Sequence, residues 1–257
     1  MPAWDGLSAF CCSMKSCYLF LSLGFALLNA QTGKNAINAP IDILTTIQKS
    51  DKDNIQKEVF FSVALVDSLK LQLPCDKILV PKRTMRLPNA PREYRSGTHR
   101  GIDFFAPWGT PVRAVADGVV IRADHFYEEV APGFRESLLQ ASAEVGHTPS
   151  DIFNNILIGK AVFLDHGFDL VPGFRCITIY AHLSDIEDTI KPGTELKAGN
   201  SLGKSGNTGM QESTLGTKGG SHLHWEMMIQ KDDREIYLGQ NISNPELYDM
   251  LNRIFTE

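Results

Sequence analysis

The sequence predicts a mainly β fold: an antiparallel β-sheet domain with a helical insertion and a C-terminal helix. Three observations predict it. Short apolar runs rich in β-branched and aromatic residues recur at close spacing after Thr98. Dense turn segments such as "KPGTELKAGNSLGKSGNTG" separate them. After Thr98, helical periodicity is confined to one internal stretch and to the last residues of the chain.

The first thirty residues read as a secretory signal peptide. Lys15 precedes "SCYLFLSLGFALLNA", a short apolar run that ends in the small residue Ala30. The run is too short to span a bilayer comfortably, so no stable membrane span is expected once the signal is removed. A retained anchor is the competing reading, because Leu28 is larger than the small residue such a cleavage site usually carries. The segment before Lys15 contains Asp5 and no cation, which makes Met14 a better start than Met1. Residues 31–78 form an N-terminal segment and lead-in of mixed helical and extended pattern. The proline-rich, basic stretch "PCDKILVPKRTMRLPNAPREYRSG" reads as extended chain.

The strands follow in order. "GTPVRAVADGVVIRAD" alternates apolar residues around Asp117-Gly118, a tight-turn dipeptide. "KAVFLDHG", "RCITIYAHL" and "SHLHWEMMI" are further strands. The insertion, about 127–158, carries helix formers with Leu138, Leu139 and Val145. Gly146 is a stop, and Ser150 or Asp151 can cap a second short helix. Residues 241–257 end the chain in an amphipathic helix with Leu247, Met250, Leu251 and Ile254 on one face.

Composition narrows the function. Of 257 residues, 43% are hydrophobic and 21% charged, an ordinary globular balance. The net charge of −5 comes without a basic stripe, which argues against nucleic-acid binding. Export would remove Cys11, Cys12 and Cys17 with the signal. Cys75 and Cys176 then either pair in one disulfide or stay as two buried thiols.

The chemistry gathers at two distant places. "THRGIDFFAPWGTPV" sets His99 and Asp103 four residues apart, an even offset that keeps both on one face of extended chain, and Gly101 between them permits a close approach. His222 and His224 in "SHLHWEM" share one face, while Leu223 and Trp225 face the other and pack. Imidazole and carboxylate are zinc donors, and three protein ligands leave one position for water. His99, Asp103, His222 and His224 are therefore four candidate donors. His182 in "YAHL" lies near a strand end as a fifth polar group. Glu226 shares a face with His224 and can orient it. His166 reads as a buried, hydrogen-bonded histidine, and Tyr180 and Trp225 as core.

From His99 to Met228 the chain resembles the lysostaphin-type (LytM-like) zinc metallopeptidases, which cut peptides in bacterial cell walls. The resemblance rests on "HRGIDFFAPWGTPVRAVADGVV", "YAHL", "IKPGTELKAGNSLGKSGNTG" and "SHLHWEM", in the family's order. It implies a compact antiparallel β-sheet with the site in a groove, spanning 79–240. It implies His99, Asp103 and His224 as ligands of one zinc ion. It also implies His182 and His222 as the base or oxyanion stabiliser beside the metal. The implied protein is a zinc metalloendopeptidase acting on peptidoglycan stem or cross-bridge peptides in the periplasm or outside a bacterial cell. A non-catalytic amidase activator and a secreted peptidase of proteins are the alternatives; retention of every metal and catalytic position argues against the first. Oligomeric state is not legible. Two departures from the simplest members, the insertion between Phe126 and Gly159 and the lengthened "MQESTLGTKGGS", either wall the groove or decorate the surface.

Overall fold

The computed structural model describes residues 61–256. The signal peptide, the choice of Met1 or Met14 and most of the N-terminal segment lie outside them. Among the described residues, nine strands of three or more residues carry the fold: β1 (Ile102–Phe104), β2 (Pro111–Arg113), β3 (Gly118–Ala123), β4 (Val162–Asp165), β5 (Arg175–Ala181), β6 (Leu183–Ile186), β7 (Ser201–Ser205), β8 (Leu223–Lys231) and β9 (Arg234–Tyr237). The larger sheet runs Glu195–Leu196, β3, β4, β5, β8, β9, and β1 pairs with the start of β8 beside β9. A smaller sheet has the order β2-β7-β6. Every pairing within these two sheets is antiparallel, as the short, closely spaced runs require.

β8 is the central strand, and its alternation organises the molecule. Leu223, Trp225, Met227 and Ile229 are buried in the main core. Trp225 meets Phe255 edge-on at 5.2 Å between ring centroids, a favoured aromatic geometry. His224 and Glu226 project to the opposite face. That face is covered in part by Phe153 and Ile158 of the insertion, packed with Phe163, Ile177, Ile179 and Ala181. The sheet is thus buried on both sides.

The C-terminal helix α2 (Glu246–Ile254) buries the four apolar residues expected of it, Leu247, Met250, Leu251 and Ile254. Each such side chain contributes about 1.5–3 kcal/mol when fully removed from water. The chain then continues into Phe255–Thr256, which pairs in parallel with Leu71–Gln72. Leu69, Leu71 and Cys75 enter the same core, which therefore draws on chain from both sides of 79–240.

Four local expectations need correcting. Asp117-Gly118 does not close a hairpin, because the flanking strands β2 and β3 lie in different sheets. The lead-in stretch is not simply extended: Pro91–Arg92 pairs with Gly97–Thr98 around a 3-10 turn at Glu93–Arg95. Helix α1 (Pro132–Val145) ends at Gly146 in the left-handed conformation as expected. Its buried residues, however, are Arg135 and Ser142, while Leu138 and Leu139 are half-buried and Val145 is exposed. The next helical turn, Ser150–Ile152, has Pro149 at its N-cap and no side-chain cap. Cys75 and Cys176 are separate buried thiols, and burial pushes both pKa values up to about 12.

Candidate metal and catalytic site

Strand register builds the site. In β8, His224 stands opposite Asp103 of β1 on one side and Ala181 of β5 on the other. The residue after Ala181 is His182, which takes a left-handed φ of 60°. That turn ends the strand and re-aims the imidazole, an uncommon conformation for a residue with a Cβ. His222 precedes β8 and forms an isolated bridge with Gly206 of the glycine-rich turn.

His99 does not lie on a strand, so the even-offset argument does not place it. It reaches Asp103 because the chain bends between them at Gly101. A Cβ on Gly101 would sit 2.4 Å from the Trp225 carbonyl oxygen and 2.8 Å from His224 Cε1. Backbone cannot yield to that contact. Gly101→Ala is expected to destabilise the fold by about 1–3 kcal/mol through this overpacking. It should also displace His224. Thermal denaturation and metal titration check it; an unchanged melting temperature with unchanged zinc affinity would show that the close approach is not required.

Three ligand atoms converge. His99 Nε2 is 2.9 Å from Asp103 Oδ1 and 3.1 Å from His224 Nδ1, and His224 Nδ1 is 2.9 Å from the same Asp103 oxygen. All three side chains are buried. The hydrogen-bond partners assign the protons. His99 Nδ1 is 2.9 Å from the Leu87 carbonyl oxygen and so carries the proton there, which leaves a lone pair on Nε2. His224 Nε2 is 3.5 Å from Glu226 Oε2, which leaves the lone pair on Nδ1. Three lone pairs facing one another within about 3 Å repel unless a cation lies between them. Two imidazoles and a carboxylate on one side of a small space are the donor set of a three-ligand zinc site, so the residues fit that ion.

The electrostatics agree. Burial pushes the Asp103 carboxyl up, but the neighbouring imidazoles of His99, His222 and His224 outweigh it and hold the pKa well below the usual range. Burial lowers His99. Burial also acts to lower His224, yet the Asp103 and Glu226 carboxylates raise it. A proton drawn to His224 in this way occupies the place that a divalent cation would take. Glu226 is itself buried and is held by Arg100 Nε at 2.9 Å, so the outer partner of His224 is fixed in turn.

His182 and His222 stand beside this cluster, with ring centroids 4.9 Å apart. His182 lies 5.8 Å from His224, centroid to centroid. His182 Nδ1 donates to the Thr208 carbonyl oxygen at 2.8 Å, and His222 Nδ1 donates to that of Gly220 at 2.8 Å. Both rings thereby turn Nε2 toward the site, where that of His222 lies 3.5 Å from Asp103 Oδ1. Burial, with His222 and His224 as neighbours, lowers the His182 pKa well below its ordinary value.

The site opens into a groove of about 460 Å³. All five residues singled out in the sequence line it. Leu139, Phe153 and Leu157 of the insertion and Met210 to Glu212 of the lengthened loop also line it, so both departures wall the groove. Arg92 was missed in the sequence. Its Nη2 lies 3.0 Å from Asp103 Oδ2, the carboxylate oxygen turned away from His99 and His224. Arg95 and Arg135 were missed as well. The basic character of "PREYRSG" was the available signal for the first two; Arg135 had none.

Other expectations hold. Tyr180 and Trp225 are buried in the core. His166 is buried, 2.6 Å from the Asp117 carbonyl oxygen and 2.8 Å from Thr178 Oγ1.

Comparison with known proteins gives one family. Residues 141–236 match Peptidase family M23. An uncharacterized metalloprotease of Haemophilus influenzae is 33% identical over 131 residues, which are 51% of this chain and 18% of that protein. The peptidoglycan DD-endopeptidase ShyC of Vibrio cholerae is 28% identical over 145 residues, 55% of this chain and 23% of its own. This chain thus spans less than a quarter of the length of either relative. Among solved structures, the catalytic domain of the antimicrobial peptidase lysostaphin from Staphylococcus simulans is 21% identical, with a TM-score of 0.33, covering 68% of this chain and 90% of that one.

Proposed function

From the match of residues 141–236 to Peptidase family M23, we propose that this chain is an exported zinc metalloendopeptidase of peptidoglycan stem or cross-bridge peptides. The observation that carries the reading is the convergence of His99 Nε2, Asp103 Oδ1 and His224 Nδ1, with two further imidazoles turning Nε2 toward the site beside them. His99, Asp103 and His224 would hold one zinc ion. When bound there, zinc supplies a Lewis acid that acidifies water and polarises a carbonyl.

The remaining steps belong to the chain. The groove holds an extended peptide across the cluster. His182 and His222 divide the proton work. A neutral Nε2 accepts the proton of the attacking water. The imidazole that has taken this proton then donates it in a hydrogen bond to the oxyanion that develops on the peptide carbonyl, and passes the same proton on to the leaving amine. Walls from the insertion limit solvent access, which strengthens these interactions.

The partition of the chain is part of the same proposal. Residues 1–30 serve as the signal for export to the periplasm or beyond. Residues 79–240 form the peptidase domain, with the insertion at about 127–158 and the terminal helix at 241–257. Among the described residues no helix is long and apolar enough to cross a membrane. The relative ShyC acts on peptidoglycan by its name, which supports that substrate class here.

Digestion of purified peptidoglycan, followed by mass spectrometry of the released fragments, tests the proposal. Zinc-loaded protein should release fragments with new peptide amino and carboxyl ends. A chelator should stop release and added zinc should restore it. Intact peptidoglycan after prolonged digestion, or release that ignores the chelator, would sink the reading.

A further inference from the structure

We propose that the groove contains a carboxylate-binding subsite formed by Arg95 and Arg135, so that the preferred peptide carries a carboxylate close to the bond that is cut. The inference rests on the peptidase reading for the identity of that ligand as a peptide. Its own basis is two buried arginines. Arg95 and Arg135 are each only 7% exposed, and both line the groove that holds His99, Asp103, His182, His222 and His224.

Buried guanidinium groups are normally paired with an acid, because the charge cannot be relieved by losing a proton. Neither of these makes an ion pair among the described residues, whereas Arg92 and Arg100 nearby are each paired with an acid; Arg95 has the Glu226 carboxylate only as a more distant charge neighbour and stands over the Phe153 ring at 4.9 Å. Arg95 donates to the Thr98 carbonyl oxygen at 2.7 Å and to Thr148 Oγ1 at 3.3 Å, both neutral acceptors. Arg135 donates through Nε to the Gly209 carbonyl oxygen and through Nη1 to Gln211 Oε1, each at 3.1 Å. Its Nη2 has no protein partner among the described residues.

The acids that might have served are committed elsewhere. Glu226 is held by Arg100 at 2.9 Å. Glu129 accepts from the Gly209 backbone N–H at 2.9 Å and from the Ser213 hydroxyl at 2.6 Å. Asp103 is taken by Arg92 and the histidines. Glu212, which also lines the groove, pairs with neither arginine. Neutral hydrogen bonds therefore hold the two guanidinium planes in place, and no acid is in direct contact with either among the described residues. A planar carboxylate is the partner that this fork geometry fits. Arg135 stands on α1, so the insertion itself supplies half of the subsite and ties its presence to substrate choice.

Calorimetry on the zinc-loaded full chain tests this. One pair of cross-linked stem peptides differs only in a chain-terminal carboxylate or carboxamide. A second pair differs only in a side-chain carboxylate or carboxamide. In at least one pair the carboxylate should bind about tenfold more tightly, the ratio expected of a charge-assisted pair. Which pair shows it identifies the source of the carboxylate. Arg135→Gln and Arg95→Gln should each shrink the ratio, and Arg135→Lys should keep part of it.

Equal affinities within both pairs for the unmodified protein overturn the assignment, and that result needs no variant to fold. A preference that survives both glutamine substitutions belongs to the metal and overturns it too. Carboxylate-dependent binding without cleavage upholds the subsite and sinks the peptidase reading. Cleavage with no carboxylate preference does the reverse.

Discussion

Protein purified with zinc should lose its metal when either His99 or Asp103 is replaced by alanine. The unmodified chain should hold about one zinc, the count of a three-ligand site. Each variant removes one of three converging donor atoms, and the remaining two leave the ion bound too weakly to survive purification. The Lewis acid contributes several kcal/mol of transition-state stabilisation, so hydrolysis should fall by about 10³-fold or more. The two variants should differ in stability. Asp103→Ala also strands Arg92, whose Nη2 is 3.0 Å from Asp103 Oδ2 in a place that is nearly closed to water. Loss of one partner of such a pair is costly because the other charge stays buried. The Asp103 variant should therefore melt below the His99 variant when both are metal-free. Elemental analysis and thermal denaturation read the two effects; zinc retained by both variants would remove these residues from the ligand set.

His182→Ala is expected to give the opposite pattern, with zinc kept and turnover lost. His182 lies outside the triangle of converging atoms, and its Nδ1 is spent on the Thr208 carbonyl oxygen. Its remaining Nε2 is available only for proton work, which contributes about 10²–10⁴-fold in comparable sites. The drop should appear in kcat, with little change in KM, because the ring serves the reacting atoms rather than peptide binding. Steady-state kinetics together with zinc content separate the two classes of variant. Near-normal turnover by a zinc-loaded His182→Ala protein would take the residue out of the mechanism.

The short pairs offered four candidate donors in the sequence, and the resemblance to a known family sorted them into ligands and neighbours. His222 and His224 can share a face on any regular strand, and β8 is regular. His99 and Asp103 came together for another reason. The chain between them is bent, and Gly101 lets the bend press against the Trp225 carbonyl. Periodicity cannot reveal such a bend. The helical insertion was likewise visible as a helix, but its buried residues are Arg135 and Ser142 rather than its leucines. An apolar pattern reports burial against an apolar partner. Here the partner is the polar wall of a groove, and the pattern pointed elsewhere.

By itself, the sequence determined the β class, the terminal amphipathic helix and the five side chains of the candidate site. The first two follow from local periodicity; the five side chains follow from residue types of distinctive chemistry and from the order of motifs in which the chain resembles the lysostaphin-type peptidases. Tertiary structure alone decided which donor atoms converge, because β8 joins Asp103 and Ala181 across register positions more than forty residues distant from His224 in the chain. It also decided the separation of Cys75 from Cys176, the pairing of Leu71–Gln72 with Phe255–Thr256, and the placing of Arg92, Arg95 and Arg135 around the groove. An arginine on the surface and an arginine in a cleft read alike in sequence. Burial makes the difference, since only there does an unmatched charge call for a ligand.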